Sequence, residues 1–181
     1  MCMRVKNIDP LWVTHYAAFI LQTSSNDARV SELFAPDVVL VPVPGSAPAC
    51  EGRSSALHLA RVLESLGLGM RVWPGLRRAY AVRKSATAPS AARPSVREHY
   101  ESFAVALPAL PLPRILLIDD VITKGRTALA AAARLRTVLP DTDIRAFALI
   151  RTLGFADHLE RLTAWCYGVV HWTGGDARRV P

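Results

Sequence analysis

Two adjacent carboxylates, Asp119 and Asp120, follow the apolar run Ile115-Leu116-Leu117-Ile118, and Thr123-Lys124-Gly125-Arg126-Thr127 comes shortly after. The apolar run reads as a strand, and the alanine- and leucine-rich stretch from Ala128 to Leu139 reads as a helix stopped by Pro140. In an open α/β sheet the carboxyl end of a strand is where ligands bind, and the acid pair falls there. A helix start offers backbone N–H groups without intrahelical partners. With two threonine hydroxyls and a glycine that permits close approach, residues 123–127 form a phosphate cradle. Acids beside such a cradle repel a phosphate unless they hold another part of the same ligand. A ribose 5-phosphate resolves the conflict, with its phosphate in the 123–127 loop and its 2- and 3-hydroxyls donating to Asp119 and Asp120. The spacing Gly-x-x-x-x-Gly-Lys-Ser/Thr of a nucleoside-triphosphate loop is absent.

The surrounding elements must bring that segment to a sheet edge. Residues 9–35 have roughly helical spacing, with Trp12, Tyr16, Ile20 and Leu21 on one face. Val38-Val39-Leu40-Val41-Pro42-Val43-Pro44 is apolar without alternation, as expected for a parallel strand buried on both faces, and it runs into Gly45-Ser46. Ser54 to Leu66 reads as a helix with Gly67 as its stop, Met70 to Trp73 as a second strand, and Ser102 to Val105 as a short one. Ser85 to Ser95, rich in small residues and proline, reads as a mobile loop. Ile144 to Ile150 continues the alternation, and the tail from Trp165 adds a last strand containing Cys166 and a basic end at Arg178-Arg179. Strands alternating with helices predict one three-layer α/β domain over 1–181, with a mostly parallel central sheet flanked by helices.

The run from Ile115 to Thr127 resembles the phosphoribosyl-pyrophosphate signature of the type I phosphoribosyltransferases: a hydrophobic strand, two acids, a short apolar link, then Thr-x-Gly-x-Thr. Val41-Pro42-Val43-Pro44-Gly45-Ser46 resembles the pyrophosphate loop of the competence protein F-like and amidophosphoribosyltransferase-like branch. The resemblance spans about 36–152 and leaves 1–35 and 153–181 as candidates for an acceptor-binding hood. It implies a phosphoribosyltransferase fold, with phosphoribosyl pyrophosphate and magnesium as substrate and cofactor, a nitrogen acceptor (nucleobase or amine) and release of pyrophosphate. In its terms Asp119 and Asp120 are catalytic, and Thr123, Lys124, Gly125, Arg126 and Thr127 hold the 5-phosphate. Gly45, Ser46, Ala47, Arg77, Arg78, Arg83 and Lys84 face the pyrophosphate, the basic residues flanking a loop that closes over the site. Magnesium is expected on substrate oxygens rather than in a protein cage, and a homodimer is the family's habit. The chain departs from that branch twice. The four-cysteine zinc element is missing, and Ala49-Cys50-Glu51-Gly52-Arg53 stands where an Arg-Gly-Phe-Asn-Gln type stretch is usual.

Composition sets the outer bounds. The 181 residues are 51% hydrophobic and 20% charged, which excludes a disordered chain. No apolar run reaches the roughly 20 residues of a membrane helix. The opening MCMRVKNIDPLW lacks the apolar core of a secretory signal, so a cytoplasmic protein is expected. Of the 22 basic residues against 15 acidic ones, three are lysines and the rest arginines, which suits an anionic partner. A regulatory or nucleic-acid-binding protein using the same fold is the second reading, since no acceptor-recognition motif is legible in the terminal segments. Three scattered cysteines, Cys2, Cys50 and Cys166, and five histidines without ligand spacing argue against a disulfide framework or a zinc site. Arg97 and His99, and Arg151-Thr152, are further candidates for the site's edge, with a purely structural role open for His99.

Overall fold

β-Branched and leucine residues without polar alternation form the two central strands. In the computed structural model, which describes residues 10–48, 54–83, 93–152 and 165–180, β1 (Val39–Pro42) lies between β2 (Arg71–Val72) and β5 (Arg114–Ile122). With β6 (Asp143–Arg151) they make a four-stranded sheet of order β2-β1-β5-β6, parallel throughout. Pro42 is tolerated in this central strand because of its parity. Leu40 bonds toward β2, its carbonyl accepting from Trp73 N at 2.8 Å, and Val43 bonds toward β5, donating to Ile118 O at 2.8 Å. Pro42 shares Leu40's parity and faces the side where β2 has already ended, so its missing N–H removes no ladder bond.

Helices cover both faces. On one side lie α1 (Pro10–Ser24), α2 (Ala28–Leu33) and α3 (Ser55–Ser65), whose Val13, Ala17, Ile20, Leu59 and Leu63 pack on Leu40, Leu116 and Ile118. On the other lie α4 (Val96–Ser102) and α5 (Arg126–Arg136), with Ala130, Ala131 and Leu135 against Val39, Val41, Ile115 and Leu117. The chain is thus α/β, with a parallel sheet between two helical layers, as its alternation implies. The antiparallel pair β3 (Leu76–Arg78) and β4 (Phe103–Val105) flanks the second layer, and β7 (Val169–Trp172) with β8 (Ala177–Val180) forms a separate hairpin.

Several expectations need correction. The helical spacing over 9–35 is divided between two helices, because Asp27 caps a new start, its Oδ1 accepting from Arg29 N at 2.8 Å. The buried stripe of α1 is Val13, Ala17 and Ile20, whereas Leu21 is exposed and Tyr16 half-buried. The tail holds two strands, and Cys166 precedes them in irregular backbone. β3 and α4 were not expected. Both are short, and α4 depends on a capping box between Ser95 and Glu98 more than on any apolar stripe. The expected mobile loop lies mostly outside the described residues.

Candidate functional site

The strand order reverses direction between β1 and β5. From β1 the chain crosses through α3 to β2 on one side, and from β5 through α5 to β6 on the other. β1 stops at Pro42, in register with Ile118, while β5 continues through Ile122 by pairing with β6. Among the described residues that overshoot leaves one edge of β5 without a strand partner from Asp119 onward, so both acids lie at the topological switch point. They belong to the strand, not to the turn after it. Pairing such as Asp119↔Ala148 and Val121↔Ile150 outweighs the low strand preference of Asp.

The acids form a linked pair. Ser55, the first residue of α3, donates from its hydroxyl to Asp120 Oδ2 at 2.7 Å, and Asp120 N donates to Asp119 Oδ1 at 2.8 Å. Asp119 retains some exposed surface, yet protein surrounds its carboxyl. Burial first, then the charge of Asp120, push it up to about 7. Asp119 therefore exchanges a proton near neutrality. Ser55 was not among the expected site residues, and its only sequence signal is the Ser54-Ser55 start of a helix.

The phosphate-loop candidate follows directly. Gly125 adopts φ +84° as it enters α5, and a Cβ there would fall 2.8 Å from the methyl groups of Val170 in β7. Backbone conformation and close packing thus both require glycine at this position. The N-cap Gly125 has no side chain to bond the start of α5, so its first turn keeps N–H groups for a ligand. Thr123 and Lys124 are exposed, while Thr127 is half-buried with its hydroxyl 3.4 Å from His99 Nε2. The two cations of the loop are engaged elsewhere. Lys124 Nζ meets Asp176 Oδ2 at 3.0 Å, and Arg126 forms a bidentate pair with the same carboxylate, its Nε on Oδ1 and its second nitrogen 2.7 Å from Oδ2. Asp176, in the turn of the β7–β8 hairpin, is held far below the usual carboxylate range by these bonds, Arg126 first. Nothing near it in sequence announces this role.

On the β1 side, Gly45, Ser46 and Ala47 form the turn after the strand. Gly45 O accepts from Arg78 Nε at 2.8 Å, and Ser46 O accepts from Val82 N at 2.7 Å. In a trans peptide the N–H points opposite to the carbonyl, so the Ser46 N–H points away from Arg78 and the Ala47 N–H away from Val82. That orientation suits an anion.

The basic residues separate by strand parity. Arg77 in β3 is exposed, whereas Arg78 is only 6% exposed. Besides Gly45 O, the Arg78 guanidinium donates to His99 O at 3.2 Å, to His99 Nδ1 at 2.9 Å and to Ser102 Oγ, and it lies 3.9 Å over the Phe103 ring. Burial lowers it to about 10, partly offset by the negative charge of Asp119. Arg78 is thus an internal brace behind the loop. Arg83 is exposed beside an open cavity of about 540 Å³, lined by Tyr80, Val82, Arg93, Glu98 and Glu101, which includes neither acid. Lys84 lies outside the described residues.

The magnesium expectation can be set against the donor chemistry. Among the described residues no three His, Cys, Asp or Glu side chains cluster as a metal cage. The two carboxylates are hard-oxygen donors, of the sort that magnesium takes one or two at a time beside substrate oxygens, so they fit a substrate-borne ion. A scan against protein-family models finds no match to the chain, and a search of curated proteins finds none. No helix among the described residues is long and apolar enough to cross a membrane.

Proposed function

We propose that the chain is a type I phosphoribosyltransferase. It transfers ribose 5-phosphate from phosphoribosyl pyrophosphate to a nitrogen acceptor, a nucleobase or amine, and releases pyrophosphate. One observation carries this reading: an acid pair, a helix-start glycine loop and the outward amides of a second loop converge where β5 overshoots β1. The acids take the ribose hydroxyls. The first turn of α5 with Thr123 and Thr127 takes the 5-phosphate, and the Ser46 and Ala47 N–H groups take the pyrophosphate.

In the reaction the bond from ribose C1 to the pyrophosphate oxygen breaks with its electron pair on oxygen. A C1–N bond forms, and the transition state has oxocarbenium character, by analogy with glycoside cleavage. No protein nucleophile is needed. The chain holds the sugar in line and stabilises the departing anion through fixed amides and bound charge. Asp119, pushed up to about 7 by burial and the neighbouring Asp120 charge, is suited to accept the proton lost by the acceptor nitrogen. Magnesium, when bound, supplies charge neutralisation on the pyrophosphate.

Calorimetry with phosphoribosyl pyrophosphate tests the reading directly. Binding is expected in magnesium buffer and is expected to disappear in the Asp119→Asn/Asp120→Asn double variant. Wild-type affinity in that variant overturns the assignment. Release of pyrophosphate on supply of nucleobases or amines separates an enzyme from a protein that only binds.

A further inference from the structure

We infer that Arg78 and His99 are a positioning pair that couples the two anion-binding loops of the proposed site: Arg78 orients the β1 loop through Gly45, and His99 orients Thr127 at the start of α5. The inference rests on the phosphoribosyltransferase reading and adds to it a link between the pyrophosphate and 5-phosphate subsites.

The link follows from donor and acceptor chemistry. A guanidinium only donates, so the 2.9 Å contact from Arg78 to His99 Nδ1 requires a lone pair on Nδ1. The imidazole proton of the neutral ring is then on Nε2, which faces Thr127 Oγ1 at 3.4 Å. The Thr127 hydroxyl accepts from His99 and has its own proton left to donate outward, toward the cradle. At the other end, the Arg78 bond to Gly45 O at 2.8 Å turns the Ser46 N–H the opposite way, also outward. One chain of contacts, Gly45–Arg78–His99–Thr127, buried at Arg78 and His99, therefore points one donor at each subsite. His99 is 4% exposed, and burial, then the charge of Arg78, keep it neutral. Its ring stacks on Phe103, with centroids 6.5 Å apart, and Arg78 is bonded to Ser102, so neither side chain swings freely. A shift of either loop must pass into the other through a rigid body. The 3.4 Å contact is the longest of the chain and is the one a bound phosphate would draw in.

Two measurements on the full-length chain test this. First, the affinity of inorganic pyrophosphate with magnesium is measured with and without saturating ribose 5-phosphate, in the wild type, His99→Phe and His99→Gln. Repulsion between the two anions is common to all forms, so the ratio of coupling factors isolates the link. Coupling is expected to fall about fivefold or more in His99→Phe. In His99→Gln, whose amide can accept from Arg78 and donate to Thr127, it is expected to be largely kept. Unchanged coupling in His99→Phe, with both ligands binding, overturns the link and spares the phosphoribosyl reading. Second, long-range proton–nitrogen spectra of the wild type report the tautomer. The Nε2–H form is expected, and the Nδ1–H form overturns the link without any ligand or variant. A wild type that binds neither ligand overturns the reading and the coupling together, whatever the tautomer.

Discussion

Arg78 and Arg126 are both arginines of the same candidate site, and they are held in opposite ways. Arg78 sits in a neutral cage of two carbonyls, a hydroxyl, an imidazole and an aromatic face, with no counter-ion in contact among the described residues. Arg126 is partly exposed and bound bidentately by a carboxylate. Burial lowers the proton affinity of the first, and its bond to Asp176 raises that of the second. The first arrangement desolvates a charge and offsets that cost through four hydrogen bonds from a fixed fork, which makes it costly to disturb. The second is an ion pair that water and salt can replace. A cation in a phosphate site can therefore act as a brace, a clamp or a ligand, and only its partners tell which.

The largest test of the contrast is truncation. Arg78→Met leaves Gly45 O without its donor and His99 Nδ1 without a partner, and it opens space beside Phe103. Stability is expected to fall by about 3–4 kcal/mol in chemical denaturation. Arg126→Met is expected to cost only about 1 kcal/mol, because Asp176 keeps Lys124 and gains water. Equal losses would show that the two arginines are held alike.

That difference was not legible in the sequence, for a physical reason. Arg77 and Arg78 are chemically identical neighbours, and alternation along β3 sends one to solvent and the other inward. Without knowing that residues 76–78 form a strand, no rule separates them, and a three-residue strand leaves too short a pattern to read. Long unalternated runs behaved differently. Val39 to Pro42 and Arg114 to Ile118 could be read as central parallel strands because only burial on both faces tolerates them. The acid pair and the glycine turn were legible as chemistry. Their position in β5 was not, since it depends on β6 outrunning β1. Asp176 was invisible for another reason: it lies 50 residues beyond Arg126 and is brought there by a hairpin.

Acid titration separates the two arginines through their partners. His99 is lowered from 6.5 to about 4 in the folded chain. The unfolded chain therefore takes up its proton first. Stability from this group is full above pH 6.5 and is lost as pH falls toward 4, by about 3 kcal/mol. Asp119 is raised from 3.8 to about 7, which gives the opposite sign: stability from it is full below the unfolded value and is lost as pH rises toward 7. The two slopes overlap and largely offset in the wild type. In magnesium-free buffer, His99→Gln is expected to show stability falling from pH 4 to 7. Asp119→Asn is expected to show it rising across the same range. Asp176 behaves differently again: its depressed value places its loss below the ordinary carboxylate range, so the Arg126 clamp outlasts the Arg78 cage on acidification. Parallel slopes in the two variants would show that one of these groups does not titrate as its surroundings require.

The smallest effect tests whether the clamp and the ligand compete. Asp176 places a carboxylate on both cations of the 123–127 loop, so a bound phosphate meets Lys124 and Arg126 already compensated. Asp176→Asn removes that charge while keeping an amide oxygen to accept from Arg126. The stability cost is expected to be about 1 kcal/mol and to shrink in high salt. Inorganic phosphate should then bind a few-fold more tightly, with a steeper salt dependence, because two cations are released toward it. The opposite result is equally informative. If phosphate binds more weakly in Asp176→Asn, the clamp acts by holding the loop at Gly125, where Val170 already presses on the backbone. Arg126 would then be a brace like Arg78, made with charge instead of burial.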